Sequence, residues 1–213
     1  MERSFKMKIF SDYESPFFNL LSQITDIVIV GMLWFLTSLP LITMGASTTA
    51  AYYVLTKQVS GKEDDMIKNF FKSFLENALR SISIFLLLGS ALVLLSFNVS
   101  VTSVGSAFNW FILMFNYFLI FQVVIVMIYI FPLMARFKMR FFQYFKSACL
   151  LGNRHLLSSM AHLMLLGSLM LLSIQFIPLL AILMGVYCYL SSFMVVKIFR
   201  RYDPDFDSNG QRS

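Results

Sequence analysis

The chain has 213 residues, of which 58% are hydrophobic and 13% are charged, and its mean hydropathy is +0.75. Soluble domains carry about 25% charged residues, so this composition excludes an ordinary soluble protein and predicts an integral membrane protein. The net charge of +6 comes from basic residues placed between apolar spans. That pattern excludes a nucleic-acid-binding surface, where basic and aromatic side chains share a solvated face.

The positions of the charges divide the chain into apolar segments. Basic residues cluster near the N-terminus, at 57–80, at 136–154 and after 196, and no Asp, Glu, Lys or Arg occurs at 81–135 or 155–196. Each gap has room for two helices of about 20 residues and a turn. We therefore expect an all-α, polytopic helical membrane protein with six spans, forming a single transmembrane domain over residues 1–213.

The orientation of these spans follows from the loops. Short loops rich in Lys and Arg stay in the cytoplasm, so the uncharged turns near 97–105 and 173–178 are expected outside and both termini inside. The chain before Lys57 must then cross an even number of times. We expect it to leave the first span at Pro40, which stops a helix, and to return through a short spanning or re-entrant helix. Small residues would let that helix pack closely against its neighbours: Gly45, Ala46, Thr49 and Ala50.

An internal repeat supports this organisation. Four residues recur 74 positions further along the chain. Phe71, Lys72, Ser73 and Arg80 match Phe145, Lys146, Ser147 and Arg154. The pattern predicts repeat units at 15–58, 62–135 and 136–200, each made of one amphipathic helix followed by two spans.

The amphipathic segments open units 2 and 3. At helical spacing, Met66–Arg80 has an apolar side with Ile67, Phe70, Phe71, Phe74 and Ala78, and a polar side with Lys68, Asn69, Lys72, Ser73, Glu76 and Arg80. Such helices lie in the membrane interface. They either only anchor the bundle or dock another membrane subunit. In the segment 136–154 we expect one polar helix face with Arg136, Arg140, Gln143, Ser147 and Arg154, opposite Phe141, Phe145, Ala148 and Gly152. The candidate partner-binding residues are Lys72, Arg80, Arg136, Arg140, Gln143 and Ser147.

Polar residues within the spans are few. A charged group at a helix centre costs at least about 2.5 kcal/mol, so Asp26 is a candidate functional residue unless it reaches interfacial water. Asn109 and Asn116 share a helix face, as is typical of hydrogen bonds between helices. His155 and His162 lack further ligands nearby, and Cys149 and Cys188 have no CxxC spacing, so no metal site is expected. The sequence has no HExxH, GxSxG or P-loop motif, and we expect neither an enzyme nor a cofactor.

The stretches "LWFLTSLPLITMGASTTAAYYV" and "FFKSFLENALRSISIFLLLG" carry a family resemblance. Leu39-Pro40, Thr43, Gly45-Ala46, Thr49-Ala50 and Tyr52, followed by Phe70, Phe71, Phe74 and Asn77, resemble the YesL-like family of bacterial integral membrane proteins. That resemblance implies a domain of unknown function in the bacterial plasma membrane, with no catalytic residues to transfer. Members tend to be encoded beside carbohydrate ABC importers and polysaccharide-degrading enzymes.

Three functions are consistent with these features. The resemblance favours a non-catalytic accessory subunit that contacts membrane lipid and the permease subunits of a carbohydrate ABC importer. A stand-alone small-solute transporter or channel is the first alternative, with Asp26 and the amides lining a path. A structural protein of the envelope is the second. The long spans offer few polar positions for a hydrated pathway, which favours the first function over the transporter.

Overall fold

A computed structural model of the chain describes residues 16–61, 65–102, 107–173 and 179–202. These ranges contain seven α-helices and a short 3-10 helix at Leu41–Thr43, which confirms the predicted all-α class. The α-helices are α1 (Pro16–Thr37), α2 (Met44–Val59), α3 (Met66–Val101), α4 (Ala107–Arg136), α5 (Phe141–Arg154), α6 (Leu156–Ser173) and α7 (Leu179–Tyr202).

Three of these helices are long and apolar enough to cross a membrane, namely α3, α4 and α7. Helices α5 and α6 pass the same test only as a pair bent by 96°, and the apolar part of α1, Leu21–Thr37, is shorter. The described residues thus hold three or four candidate spans. The predicted count of six stays a prediction.

Helix α2 runs back along α1. The indole Nε1 of Trp34, near the end of α1, donates to Thr48 Oγ1 near the start of α2 at 3.0 Å. Gln58 Nε2, near the end of α2, donates to Asp26 Oδ2 in the first half of α1 at 2.9 Å. This order of contacts requires antiparallel helices, so the chain turns back after α1.

The turn between α1 and α2 is stabilised by its own side chains. The Thr43 hydroxyl donates to the carbonyl oxygens of Thr37 and Pro40 at 2.6 and 2.7 Å. Pro40 is exposed and extended, and it precedes the 3-10 helix. These bonds satisfy backbone groups that the end of α1 leaves without helical partners.

Helix α2 lies at the centre of the bundle, in contact with α1, α3, α4 and α7. Gly45, Ala46, Thr49 and Ala50 are all buried. A Cβ built on Gly45 would lie 2.8 Å from both the Ser81 carbonyl oxygen and Phe85 Cβ. The Thr49 and Ser81 hydroxyls are also 3.1 Å apart. Small residues therefore let α2 approach the backbone of α3 closely.

A second close approach joins α1 to α7 and has no counterpart among the expectations from sequence. A Cβ on Gly31 would collide with the Ala181 carbonyl oxygen, and one on Gly185 would lie 2.5 Å from the Ile27 carbonyl oxygen. The two glycines face each other across the helix pair. The first and last described helices are thereby packed backbone to backbone.

The start of unit 2 differs from the prediction. Helix α3 continues without a break through Arg80, so Met66–Arg80 is the first part of a 36-residue helix rather than a separate interfacial helix. In unit 3 the chain does break, at His155 between α5 and α6. There Ser159 Oγ donates to the Gly152 carbonyl oxygen at 2.9 Å. At the offset of the repeat, unit 2 has Phe85 in place of Ser159, and its side chain has no hydroxyl to satisfy such a carbonyl.

Candidate functional site

The basic residues predicted to share one face of unit 3 lie on two elements. Arg136 is the last residue of α4, whereas Arg140 immediately precedes α5. The Arg136 Nη2 donates to Ser60 Oγ at 3.3 Å, which ties the end of α4 to the end of α2. The prediction of a single polar helix face over 136–154 was therefore wrong, because residues 137–140 interrupt the helix.

The start of α5 is exposed to its surroundings. Arg140 and Gln143 are both exposed, and Gln143 Oε1 accepts the Arg140 backbone N–H at 3.0 Å. Gln143 thus caps the helix as well as presenting its amide. Ser147 is half-buried and lines a groove between α5 and its neighbours, so it is not part of the same open surface.

Tyr144 connects this helix to α3 and α4. Its hydroxyl donates to the Phe137 carbonyl oxygen at 2.6 Å and accepts the Met139 N–H at 3.0 Å. The guanidinium of Arg80 lies 3.5 Å from the same hydroxyl and 6.0 Å from the ring centroid. Arg80 therefore packs on Tyr144 where α3 passes α5. We call the end of the bundle formed by these residues the basic end.

The face that α3 buries at this end differs from the predicted one. Ser73, expected on the polar side, is buried with Phe70, whereas Ile67 and Phe71 from the expected apolar side are exposed. Exposed apolar residues follow a four-residue spacing along α3, and we call them the α3 stripe: Ile67, Phe71, Leu75 and Leu79. Lys72 is exposed beside it. The buried side of α3 thus includes a small polar residue, and the amphipathic pattern alone did not identify it.

The polar residues predicted within the spans lie in separate places. Asp26 accepts the hydrogen bond from Gln58 described above. Asn116 is buried on α4, and its Nδ2 donates to the Ile112 carbonyl oxygen at 2.9 Å and lies 3.4 Å from Asn98 Oδ1 of α3. Asn109 is half-buried on the first turn of α4. The structure does not bring Asp26 and the two asparagines together.

A buried cluster of tyrosines, serines and one histidine was missed by the sequence reasoning. In it the Tyr52 and Ser191 hydroxyls lie 2.8 Å apart, and Ser159 Oγ donates to the Tyr129 hydroxyl at 3.2 Å. Tyr187 lies within hydrogen-bonding reach of Tyr52. These residues come from α2, α4, α6 and α7, so the cluster joins four helices in the centre of the bundle.

His162 completes this cluster. Its side chain is fully buried, and neither ring nitrogen has a hydrogen-bond partner among the described residues. The ring packs edge-on against Tyr129 and Tyr187, with centroid separations of 6.0 and 6.3 Å. The sequence did contain a signal for this cluster. Tyrosines are enriched near membrane interfaces, so tyrosines inside apolar segments, such as Tyr129 and Tyr187, could have been recognised as polar contacts between helices.

Metal ligands are not grouped in this part of the protein. Within 16–61, 65–102, 107–173 and 179–202 no three His, Cys, Asp or Glu side chains lie close enough to hold an ion. Cys188 is buried in the core, and the half-buried Cys149 accepts a hydrogen bond from Gln122 Nε2 at 3.2 Å.

Comparison with known proteins gives a match to part of the chain. Residues 27–99 match the family described as "Protein of unknown function, DUF624". We call these residues, which are similar to that family, the DUF624 segment. DUF624 is a family of membrane proteins of unknown function that includes YesL-like proteins, so the predicted resemblance is confirmed. No curated protein and no solved structure matches the chain.

The DUF624 segment contains the close contacts that α2 makes with α1 and α3. It begins at Ile27 in α1, contains the whole of α2 and ends near the end of α3. The Trp34 to Thr48 hydrogen bond, the Gly45 approach and the Thr49 to Ser81 contact all lie inside it. The family match therefore covers α2, the parts of α1 and α3 that pack against it, and the α3 stripe.

Proposed function

We propose that this protein is a non-catalytic accessory subunit of a bacterial carbohydrate ABC importer, which binds the permease and supports its assembly, stability or gating. The genomic setting that the YesL-like resemblance implies supports the class of partner. The α3 stripe carries the proposal in the structure, because it offers an apolar contact surface beside basic side chains.

The length of α3 explains why the stripe needs a partner. At ~1.5 Å per residue, 36 residues extend about 54 Å, whereas the hydrocarbon core is about 30 Å thick. The uncharged part from Ser81 to Val101 is enough to cross that core. The preceding part extends beyond it and carries Leu75 and Leu79, whose side chains are 73% and 85% exposed. A docked subunit would remove this apolar surface from water.

The proposed topology places this extension on the cytoplasmic side of a bacterial plasma membrane. Six apolar helices enter the bilayer: the α1–α2 pair, then α3, α4, α6 and α7, with both termini cytoplasmic. At ~1.5 Å per residue α2 is about 24 Å long, and its first turn packs against the middle of α3 rather than its end. We therefore take the α1–α2 pair to be a re-entrant hairpin that turns inside the bilayer.

The test compares two matched double variants in the native host. Leu75→Ser with Leu79→Ser removes the stripe, and Leu156→Ser with Leu157→Ser removes exposed leucines from the start of α6. We expect the stripe variant to accumulate in the membrane at the normal level but to lose co-purification with the permease. The α6 variant should retain it.

Two results would contradict the proposal. If the stripe variant retains the permease, the stripe is not the contact surface. If the stripe variant fails to accumulate while the α6 variant is normal, the start of α3 is an anchor in the interface rather than a docking surface.

One observation favours the alternative of a stand-alone transporter, namely the buried polar cluster around His162. Solute flux into liposomes that contain this protein alone would support that alternative. An envelope protein would instead co-purify with secreted hydrolases and would carry no flux. The other members of the cluster form hydrogen bonds with each other, which suits a structural role and supports the accessory function.

A further inference from the structure

A groove with a volume of about 270 Å³ opens at the basic end, between α5 and the last turns of α4 and α7. Six of its lining residues are apolar, among them Phe137, Met139 and Phe199, and Ser147 is the one polar lining residue. The Phe137 and Phe199 rings meet edge-on on one wall, with centroids 5.1 Å apart. The groove is therefore shaped by apolar side chains that a hydrocarbon chain would contact favourably.

Positive charges border this groove on the α5 side. In the linker between α4 and α5, Phe137 and Met139 line the groove, and their chain neighbours Lys138 and Arg140 are exposed. Lys146 is also exposed, next to Ser147. No Asp or Glu occurs anywhere between residues 77 and 202. On the α5 side, three exposed cations thus adjoin lining residues in the chain, and this length of chain has no carboxylate.

We infer that the groove binds one anionic phospholipid, with an acyl chain against its apolar wall and the phosphate among Lys138, Arg140 and Lys146. Two features of different kind support this occupant. An apolar cavity alone would accept any hydrocarbon, and surface cations alone would attract any anion. Their adjacency selects a molecule that is apolar at one end and anionic at the other, as basic pockets between transmembrane helices do.

This site is independent of the proposed accessory function. The lipid would wedge between α5 and the ends of α4 and α7, whereas the α3 stripe lies on another helix. Permease binding and lipid binding are therefore expected to be lost in different variants.

The experiment measures retained lipid by native mass spectrometry. The full chain is reconstituted with equal amounts of phosphatidylglycerol and phosphatidylcholine of the same acyl composition and released from detergent micelles. We expect one retained lipid per chain, with phosphatidylglycerol favoured at least about tenfold, since basic residues near a membrane surface each add to the attraction for anionic lipid.

Three variants test the position of the site. Lys138→Gln, Arg140→Gln and Lys146→Gln together should abolish the preference for phosphatidylglycerol. Ser147→Trp should fill the groove and abolish retention of both lipids. The control combines Lys68→Gln, Lys72→Gln and Lys197→Gln, which removes three exposed lysines away from the lining residues and should change neither.

Retention by Ser147→Trp at the wild-type level, in protein with an unchanged melting temperature, would overturn the inference. So would an equal loss of preference in the control, which would reveal unspecific attraction to surface charge. Loss of a co-purifying protein from Ser147→Trp while phosphatidylglycerol is retained would show that a protein occupies the groove, and would also overturn it. If Ser147→Trp does not fold, the two triple variants decide the question alone.

Discussion

Gly31 of α1 and Gly185 of α7 face each other so closely that neither position has space for a Cβ. A Cβ built on Gly185 would lie 3.1 Å from the Gly31 Cα atom. The two residues are far apart in the chain, and their contact fixes the first described helix against the last.

This pair predicts a sharp response to a single methyl group. Gly31→Ala or Gly185→Ala should lower the melting temperature in detergent, because overpacking costs about 1–3 kcal/mol. Gly89→Ala and Gly167→Ala are matched controls, since a Cβ at either position meets nothing within 4 Å. The controls should leave stability unchanged or raise it, as Ala favours helix over Gly by roughly 0.5–1 kcal/mol. Equal melting temperatures for all four variants would show that the helices separate more than the structure indicates.

Gly45 provides a second test of close packing, now between α2 and α3. Gly45→Leu should weaken the bundle by more than Gly31→Ala, because Leu adds three further carbon atoms to a Cβ that already lies 2.8 Å from the Ser81 carbonyl oxygen and from Phe85 Cβ. Thermal unfolding and accumulation in the membrane both measure the effect. A fully stable Gly45→Leu protein would mean that this face of α2 meets lipid rather than α3.

The proposed topology predicts the sides from which single cysteines react. Cys149→Ser with Cys188→Ala gives the background, and Thr102→Cys at the end of α3 should label with a membrane-impermeant maleimide in intact cells. Ser60→Cys at the end of α2 should label only after the cells are opened. Leu41→Cys, at the tip of the proposed re-entrant hairpin, should stay unlabelled in both conditions. Labelling of Leu41→Cys from outside would instead make α1 and α2 two complete spans.

His162 separates the accessory function from the transporter. Both of its ring nitrogens are buried without a hydrogen-bond partner among the described residues, and an unsatisfied buried polar group costs about 1–3 kcal/mol. His162→Phe keeps a ring against Tyr129 and Tyr187, so the melting temperature should be unchanged or higher. Growth on the imported carbohydrate should also be unchanged. A stable His162→Phe protein that fails to support growth would indicate that the imidazole acts in transport.

The all-α class, the long apolar helices and the turn at Pro40 followed from the sequence, whereas the helix boundaries at 66–80 and 136–154 did not. Hydropathy and charge are properties of position along the chain, and a bilayer sorts segments by these properties. The return of α2 was predictable for the same reason: basic residues precede α1 and follow the start of α2's last turn, so the positive-inside rule predicts an even number of crossings between them, and α2 does run antiparallel to α1. Small residues such as Gly45 and Thr49 also marked α2 as a close-packing helix before its neighbours were known.

The pairing of faces was decided only in the tertiary structure. A helix that is apolar all round has no periodic signal for its buried side, so nothing in the local pattern matches Gly31 to Gly185 or brings Tyr52, Tyr129 and His162 together. On α3 the pattern pointed to the wrong side, because hydrophobicity does not separate a face that meets another helix from one that meets lipid or a partner. Close approach of α2 explains the burial of Ser81, whereas Leu75 and Leu79 on the same helix are exposed.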